Sequence, residues 1–285
     1  MSDPRAIGLF DSGVGGLTVL HALRRRLPRE STIYLGDNAR APYGSRPDAE
    51  IVQLSGECLD HLLQQDVKVV VVACSTSSSV ALAQLRHRST VPILGVVRPG
   101  ATAAAFASRT GRIGVIATET TIRSGAFPRA IIEERPDATI RALATPALVP
   151  MVEAGQLDGT HVRSVVLDSL APMLDPHLAP IDTLLLGCTH YPLLGPVIGD
   201  IVGPDISVID SAAAIVSALE DMLEAGDLTA PPDHQASHIL RTTGDVAAFR
   251  QATTRLFGAP ALDVTRVGLG TPELAGVPVS AGAGS

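Results

Sequence analysis

At 285 residues the chain can bury one large core or two moderate ones. Apolar residues make up 46% and charged residues only 18%, which excludes a disordered chain, and the net charge of −7 gives no support for binding nucleic acid or an anionic membrane. No apolar run approaches the roughly 20 residues of a membrane span, and the first residues lack the apolar core of a signal peptide, so a cytoplasmic protein is expected.

In chain order, strand-like apolar runs fall near residues 6–10, 32–35, 68–73, 92–96, 112–117, 140–144, 182–187, 206–209 and 238–242. Amphipathic stretches between them predict helices near 15–27, 47–65, 78–88, 99–108, 120–134, 147–155, 160–175, 193–200, 211–225 and 245–257. Strands alternating with helices predict an α/β fold with mainly parallel sheets. The tail beyond Gly268 is rich in small residues and proline, and is expected to be loose.

Two of the strand-like segments end alike. Residues 69–76 close on Ala73-Cys74-Ser75-Thr76, and residues 183–190 close on Gly187-Cys188-Thr189-His190. In an open α/β sheet, the carboxyl ends of strands are where ligands bind. A wider echo surrounds them: Ile7-Gly8-Leu9-Phe10-Asp11-Ser12 resembles Ile113-Gly114-Val115-Ile116-Ala117-Thr118, and each copy runs on to its cysteine over a similar distance. The order predicts two similar domains facing one cleft, although parallel strands resemble one another in any α/β protein.

Cys74 and Cys188 sit where apolar strands give way to polar residues, and helix N-termini nearby favour a thiolate there. Cys58, on a helical stretch, reads as a small core residue. His190 follows Cys188 closely enough to exchange a proton with it. Asp11-Ser12-Gly13-Val14-Gly15-Gly16 leaves the first strand and opens a helix, where glycines let backbone amides approach an anion. Its spacing matches neither the dinucleotide fingerprint nor a phosphate loop ending in Lys-Ser/Thr. A carboxylate ligand suits it, and so does a tight turn with Asp11 as the helix cap. The segment from Gly36 to Gly44, with Tyr43, is a turn on its own and a cleft wall if it lies beside the other strand ends.

Three widely spaced cysteines form no disulfide framework, and they lack the paired spacing of a zinc site. Lys68 is the only lysine, and it lies at the strand end away from Cys74, which argues against a pyridoxal Schiff base. No cofactor and no metal are expected.

Taken together, Phe10-Asp11-Ser12-Gly13-Val14-Gly15-Gly16, Gly36-Asp37 with Pro42-Tyr43-Gly44, Ala73-Cys74, Leu148-Val149-Pro150-Met151-Val152-Glu153 and Gly187-Cys188-Thr189-His190-Tyr191-Pro192 resemble the glutamate racemases of the Asp/Glu racemase superfamily. The resemblance covers residues from about 6 to 260. It implies a discontinuous first domain of 1–97 with 210–268, a second domain of 98–209, and the loose tail at 269–285. It implies cofactor-independent interconversion of L- and D-glutamate for peptidoglycan, with Cys74 and Cys188 as the proton-transfer pair. Asp11 would assist Cys74, and His190 and Glu153 would assist Cys188. Ser12, Tyr43, Gly44, Thr76 and Thr189 would hold the substrate together with Asp11, Ser75 and His190, while Thr118 and Thr121 are secondary candidates. The only partner implied is the amino acid itself, with a homodimer left open.

The chemistry is consistent with that resemblance. An α-proton is far less acidic than a thiol, so a thiolate base needs hydrogen-bond donors aimed at the substrate carboxylate to stabilise the carbanion-like transition state. One sulfur removes a proton and the opposite sulfur delivers another. One departure stands out: the family places Asn after its first cysteine, and this chain has Ser75, a shorter donor. That leaves room for a racemase of aspartate or another amino acid. A single-cysteine decarboxylase or isomerase of the superfamily is disfavoured by the presence of both cysteines. A silent binding protein has only Ser75 in its favour.

Overall fold

The computed structural model describes residues 2–257 and 263–270. Its strands are β1 (Ile7–Asp11), β2 (Thr32–Gly36), β3 (Val69–Val72), β4 (Ile93–Gly95), β5 (Arg112–Ala117), β6 (Thr139–Ala144), β7 (Thr183–Leu186), β8 (Ser207–Asp210), β9 (His238–Thr242) and β10 (Val264–Arg266). They form two sheets, in the orders β10-β9-β2-β1-β3-β4 and β6-β5-β7-β8. Every pairing is parallel, so the chain returns through helices between strands. This is the expected α/β class.

The two sheets repeat one plan. Four strands of the first run β2-β1-β3-β4, and the second runs β6-β5-β7-β8. Ile7 of β1 pairs with Val69 of β3, and Ile113 of β5 pairs with Thr183 of β7. Counting on from these pairs, Cys74 and Cys188 stand at the same step beyond their strands. The echo in the sequence is therefore a structural repeat, to which β9 and β10 add an extension beside β2.

The central strands are buried on both faces, which is why they read as unbroken apolar runs. Alternation along β1 and β3 sends Ile7, Leu9, Val69 and Val71 into one core and Phe10, Val70 and Val72 into another. The first of these cores also takes Ile116, Leu184 and Leu186 from the second sheet, so a continuous apolar body joins the two halves behind the strand ends. Each fully buried side chain of this size stabilises by about 1.5–3 kcal/mol.

Differences from the expected elements have local causes. The helix expected at 78–88 begins at once after Cys74 and divides into Ser75–Val80 and Leu82–Arg88. The run of serines argues against helix by propensity, but Cys74 caps it, its sulfur accepting the Ser77 N–H at 3.5 Å. The helix expected at 120–134 divides at Gly125, whose φ of 64° ends Glu119–Ser124 before Ala126–Glu134. Strand β10 was not expected, being only three residues long at a sheet edge. Of the loose tail expected at 269–285, residues 271–285 lie outside the described residues.

Candidate active site

The carboxyl ends of β1, β3, β5 and β7 converge on a cleft of about 210 Å³. Asp11, Ser12, Tyr43, Gly44, Cys74, Ser75, Thr76, Thr118, Glu153, Cys188, Thr189 and His190 all line it. Twelve of the thirteen residues singled out from sequence thus meet in one place. Thr121 does not reach the wall; it stands behind Thr118, whose hydroxyl lies 2.9 Å from its own.

On the first sheet's side, Asp11 ends β1 and is buried. Its Oδ2 accepts the Gly13 N–H at 2.9 Å, bending the chain back toward the cleft. It does not cap the following helix, which starts at Leu17 after Gly16. Cys74 Sγ lies 3.6 Å from the Ser12 hydroxyl. Burial pushes the Cys74 thiol up to about 11, and the negative charge of Asp11 adds to this against the hydrogen bonds with Ser77 and Ser12. Cys74 is therefore held as a neutral thiol at pH 7.

The second side is built differently. Cys188 Sγ lies 3.7 Å from His190 Nδ1, and His190 Nε2 lies 3.2 Å from Glu153 Oε1. Burial opposes charge on His190, yet the hydrogen bonds to Cys188 and Glu153 and the charges of Cys188 and Asp11 prevail, raising it to about 10. The ring is an imidazolium at pH 7. Glu153 comes from the helix Leu148–Glu153, a segment whose role depends on being folded against the turn that follows β7.

Hydroxyls close the cleft between the halves. Thr76 Oγ1 lies 3.2 Å from Thr118 Oγ1 and 3.4 Å from Thr121 Oγ1. Gly44 O accepts the Thr120 N–H at 3.3 Å, and a Cβ at Gly44 would come within 3.1 Å of Thr118. Tyr43 lines the cleft, but its hydroxyl donates to the buried carboxylate of Asp37 and is engaged away from the cavity. Ser75 Oγ is buried at the wall without a hydrogen-bond partner among the described residues.

Ala41, Pro42, Ser45, Glu119, Pro146, Val149 and Pro150 complete the lining; Pro42, Val149 and Pro150 lie in the sequence motifs but carry no site role there, and sequence reasoning names none of the others as a site residue. Ser45 and Glu119 directly follow Gly44 and Thr118, so adjacency was the available signal. Val149 and Pro150 stand one helical turn before Glu153, with their apolar side chains on the wall beside it.

A sequence model of the Asp/Glu/Hydantoin racemase family matches residues 15–219. The chain is 41% identical over 269 residues to a glutamate racemase of Exiguobacterium sibiricum, covering 94% of this chain and 98% of that protein. Among solved structures, a glutamate racemase isoform of Bacillus anthracis superposes with a TM-score of 0.89 at 38% identity, covering 93% of this chain and 97% of the other. A glutamate racemase of Francisella tularensis, solved in complex with D-glutamate, superposes with a TM-score of 0.84 at 30% identity, covering 93% and 98%. The chain belongs to the Asp/Glu/Hydantoin racemase family, and within it to the glutamate racemases.

Proposed function

We propose that the cleft interconverts L- and D-glutamate through Cys74 and Cys188, supplying D-glutamate for peptidoglycan. The supporting observation is that both sulfurs, at equivalent steps of two like sheets, line one cavity. Such a pair can address opposite faces of one carbon.

The electrostatics prepare one direction. Cys74 holds its proton, and the imidazolium of His190, 3.7 Å from the Cys188 sulfur, is placed to stabilise negative charge on that sulfur when it acts as the base. The Cys188 thiolate takes the α-proton, and the electron pair left on Cα is delocalised into the substrate carboxylate. Cys74 then delivers its proton to the other face, leaving Cys74 as thiolate and Cys188 as thiol. That state is the one required for the reverse reaction, and exchange with solvent through Asp11 or His190 restores the first. Hydroxyls of Ser12, Ser75, Thr76, Thr118 and Thr189 and the backbone at Gly44 are the donors available to the substrate carboxylates.

Two units accompany this reading: residues 1–97 with 210–268, and residues 98–209, with the cleft between them. No helix among the described residues is long and apolar enough to cross a membrane, and the proposed site of action is the cytoplasm.

The test is racemisation in heavy water. L- and D-glutamate should each acquire solvent deuterium at Cα as their optical activity decays. Cys74→Ser and Cys188→Ser should each abolish turnover. Retention of the substrate hydrogen, or turnover in either variant, would remove the two-sulfur route. A panel including aspartate reports the substrate.

A further inference from the structure

The turn that carries Cys188 and His190 has a gap in its own hydrogen bonding. Tyr191 N donates to Cys188 O at 3.1 Å, and Leu193 N donates to His190 O at 3.2 Å. By the same pattern the carbonyl between them, Thr189 O, would take the N–H of residue 192. That residue is proline and has none. Thr189 is buried, so an unmet carbonyl there is costly.

The Thr18 hydroxyl fills the gap, 2.9 Å from Thr189 O. Thr18 belongs to the helix Leu17–Arg26, which follows β1, so the bond reaches from one sheet's connections to the other's. The hydroxyl also lies 2.8 Å from Gly15 O, but that carbonyl already receives Thr18's own N–H at 3.0 Å. The proton is needed more at Thr189. Beside it, Gly15 leaves space that the imidazole occupies: a Cβ there would lie 2.5 Å from His190 Nδ1 and Cε1. Real Cβ atoms do not approach so closely, so a side chain at position 15 must displace the ring.

We infer that Thr18 is a positioning residue for Cys188 and His190, acting through the Thr189 carbonyl, and that position 15 must be glycine to seat the imidazole. The inference deepens the proposed two-sulfur reading and rests on it for its kinetic consequence. Thr18→Val keeps the shape and removes the hydroxyl. It is expected to lower kcat about tenfold, the scale of one hydrogen bond left unmade, with KM for glutamate within about twofold of the parent. Thr18→Ser should restore kcat, and Gly15→Ala should lower it independently. If Thr18→Val does not fold, Thr18→Ala against Thr18→Ser makes the same comparison.

Alkylation of Cys188 by iodoacetamide, followed by peptide mass, reads the positioning without turnover; Thr18→Val should alter its rate and leave that of Cys74 unchanged. A parental kcat together with a parental Cys188 alkylation rate in Thr18→Val would overturn the inference, as would a Thr18→Ser variant no better than Thr18→Val. A parent protein that does not racemise glutamate would instead overturn the functional reading, and the alkylation rates would then decide the role of Thr18 alone.

Discussion

His190 Nε2 and Glu153 Oε1 lie 3.2 Å apart, although they come from different elements of the second half. The carboxylate helps hold the ring as an imidazolium, whose other nitrogen faces Cys188. Glu153→Gln keeps the size and removes the charge. It is expected to lower kcat by about tenfold, less than the roughly 10²–10⁴-fold of a group that transfers the proton itself, because Glu153 acts through His190. The alkaline limb of the kcat profile should also move to lower pH, because the ring gives up its proton more easily. A superimposable pH profile would show that Glu153 does not act on His190.

The same ring links pH to stability. His190 has a folded value raised to about 10 from an ordinary value near 6.5. Its contribution is fully present below about 6.5 and is lost as pH rises through about 10. Urea midpoints measured across that window should fall more steeply in the parent than in His190→Gln.

Acid acts on Asp182 instead. Burial works against its charge, but the hydroxyls of Ser108, Thr110 and Thr183 and the Thr110 N–H hold the carboxyl well below the usual range. With a lowered folded value, its contribution is present above about pH 4 and is lost as pH falls further. Asp182→Asn should cost about 1.5–3 kcal/mol at neutral pH, the scale of a hydrogen bond to a charged group, and should flatten the acid limb of the stability curve. An acid limb as steep as the parent's would assign acid sensitivity elsewhere.

Lys68 and Glu30 form a buried ion pair, Nζ to Oε2 at 2.6 Å. Nζ also donates to Asp3 O at 2.7 Å and Leu228 O at 2.6 Å, tying the amino-terminal segment and the approach to β9 onto the start of β3. Lys68→Met strands the Glu30 charge and should cost about 3–5 kcal/mol in chemical denaturation. Removing both charges with Lys68→Met and Glu30→Leu should recover part of that loss. A double variant no more stable than Lys68→Met would place the cost in the lysine's own backbone contacts.

Ser75 Oγ is buried at the cleft wall and bonds to no group among the described residues. Ser75→Asn, the residue glutamate racemases place there, is expected to raise kcat/KM for glutamate by about threefold to tenfold, the scale of one added hydrogen bond of about 0.5–1.5 kcal/mol. Steady-state assays on both enantiomers measure it. Unchanged or lower activity would mean that this pocket is shaped around serine.

Unbroken valine and leucine runs announced parallel strands because a parallel sheet is buried on both faces, and two of these runs led straight into the cysteines that line the cleft. The chain's own repetition foretold that Cys74 and Cys188 would be equivalent. Two covalently local features carried that legibility: strand periodicity, and the small or hydroxyl residues that end a strand. What the sequence could not say was how side chains from distant segments meet. The Tyr43 hydroxyl turns from the cleft to Asp37, and Thr121 stands behind Thr118. Thr18 reaches the Thr189 carbonyl because Pro192 leaves it unmet. Such partners are chosen by packing between elements remote along the chain, where burial makes every unpaired polar group costly, and only the folded arrangement decides which donor answers it.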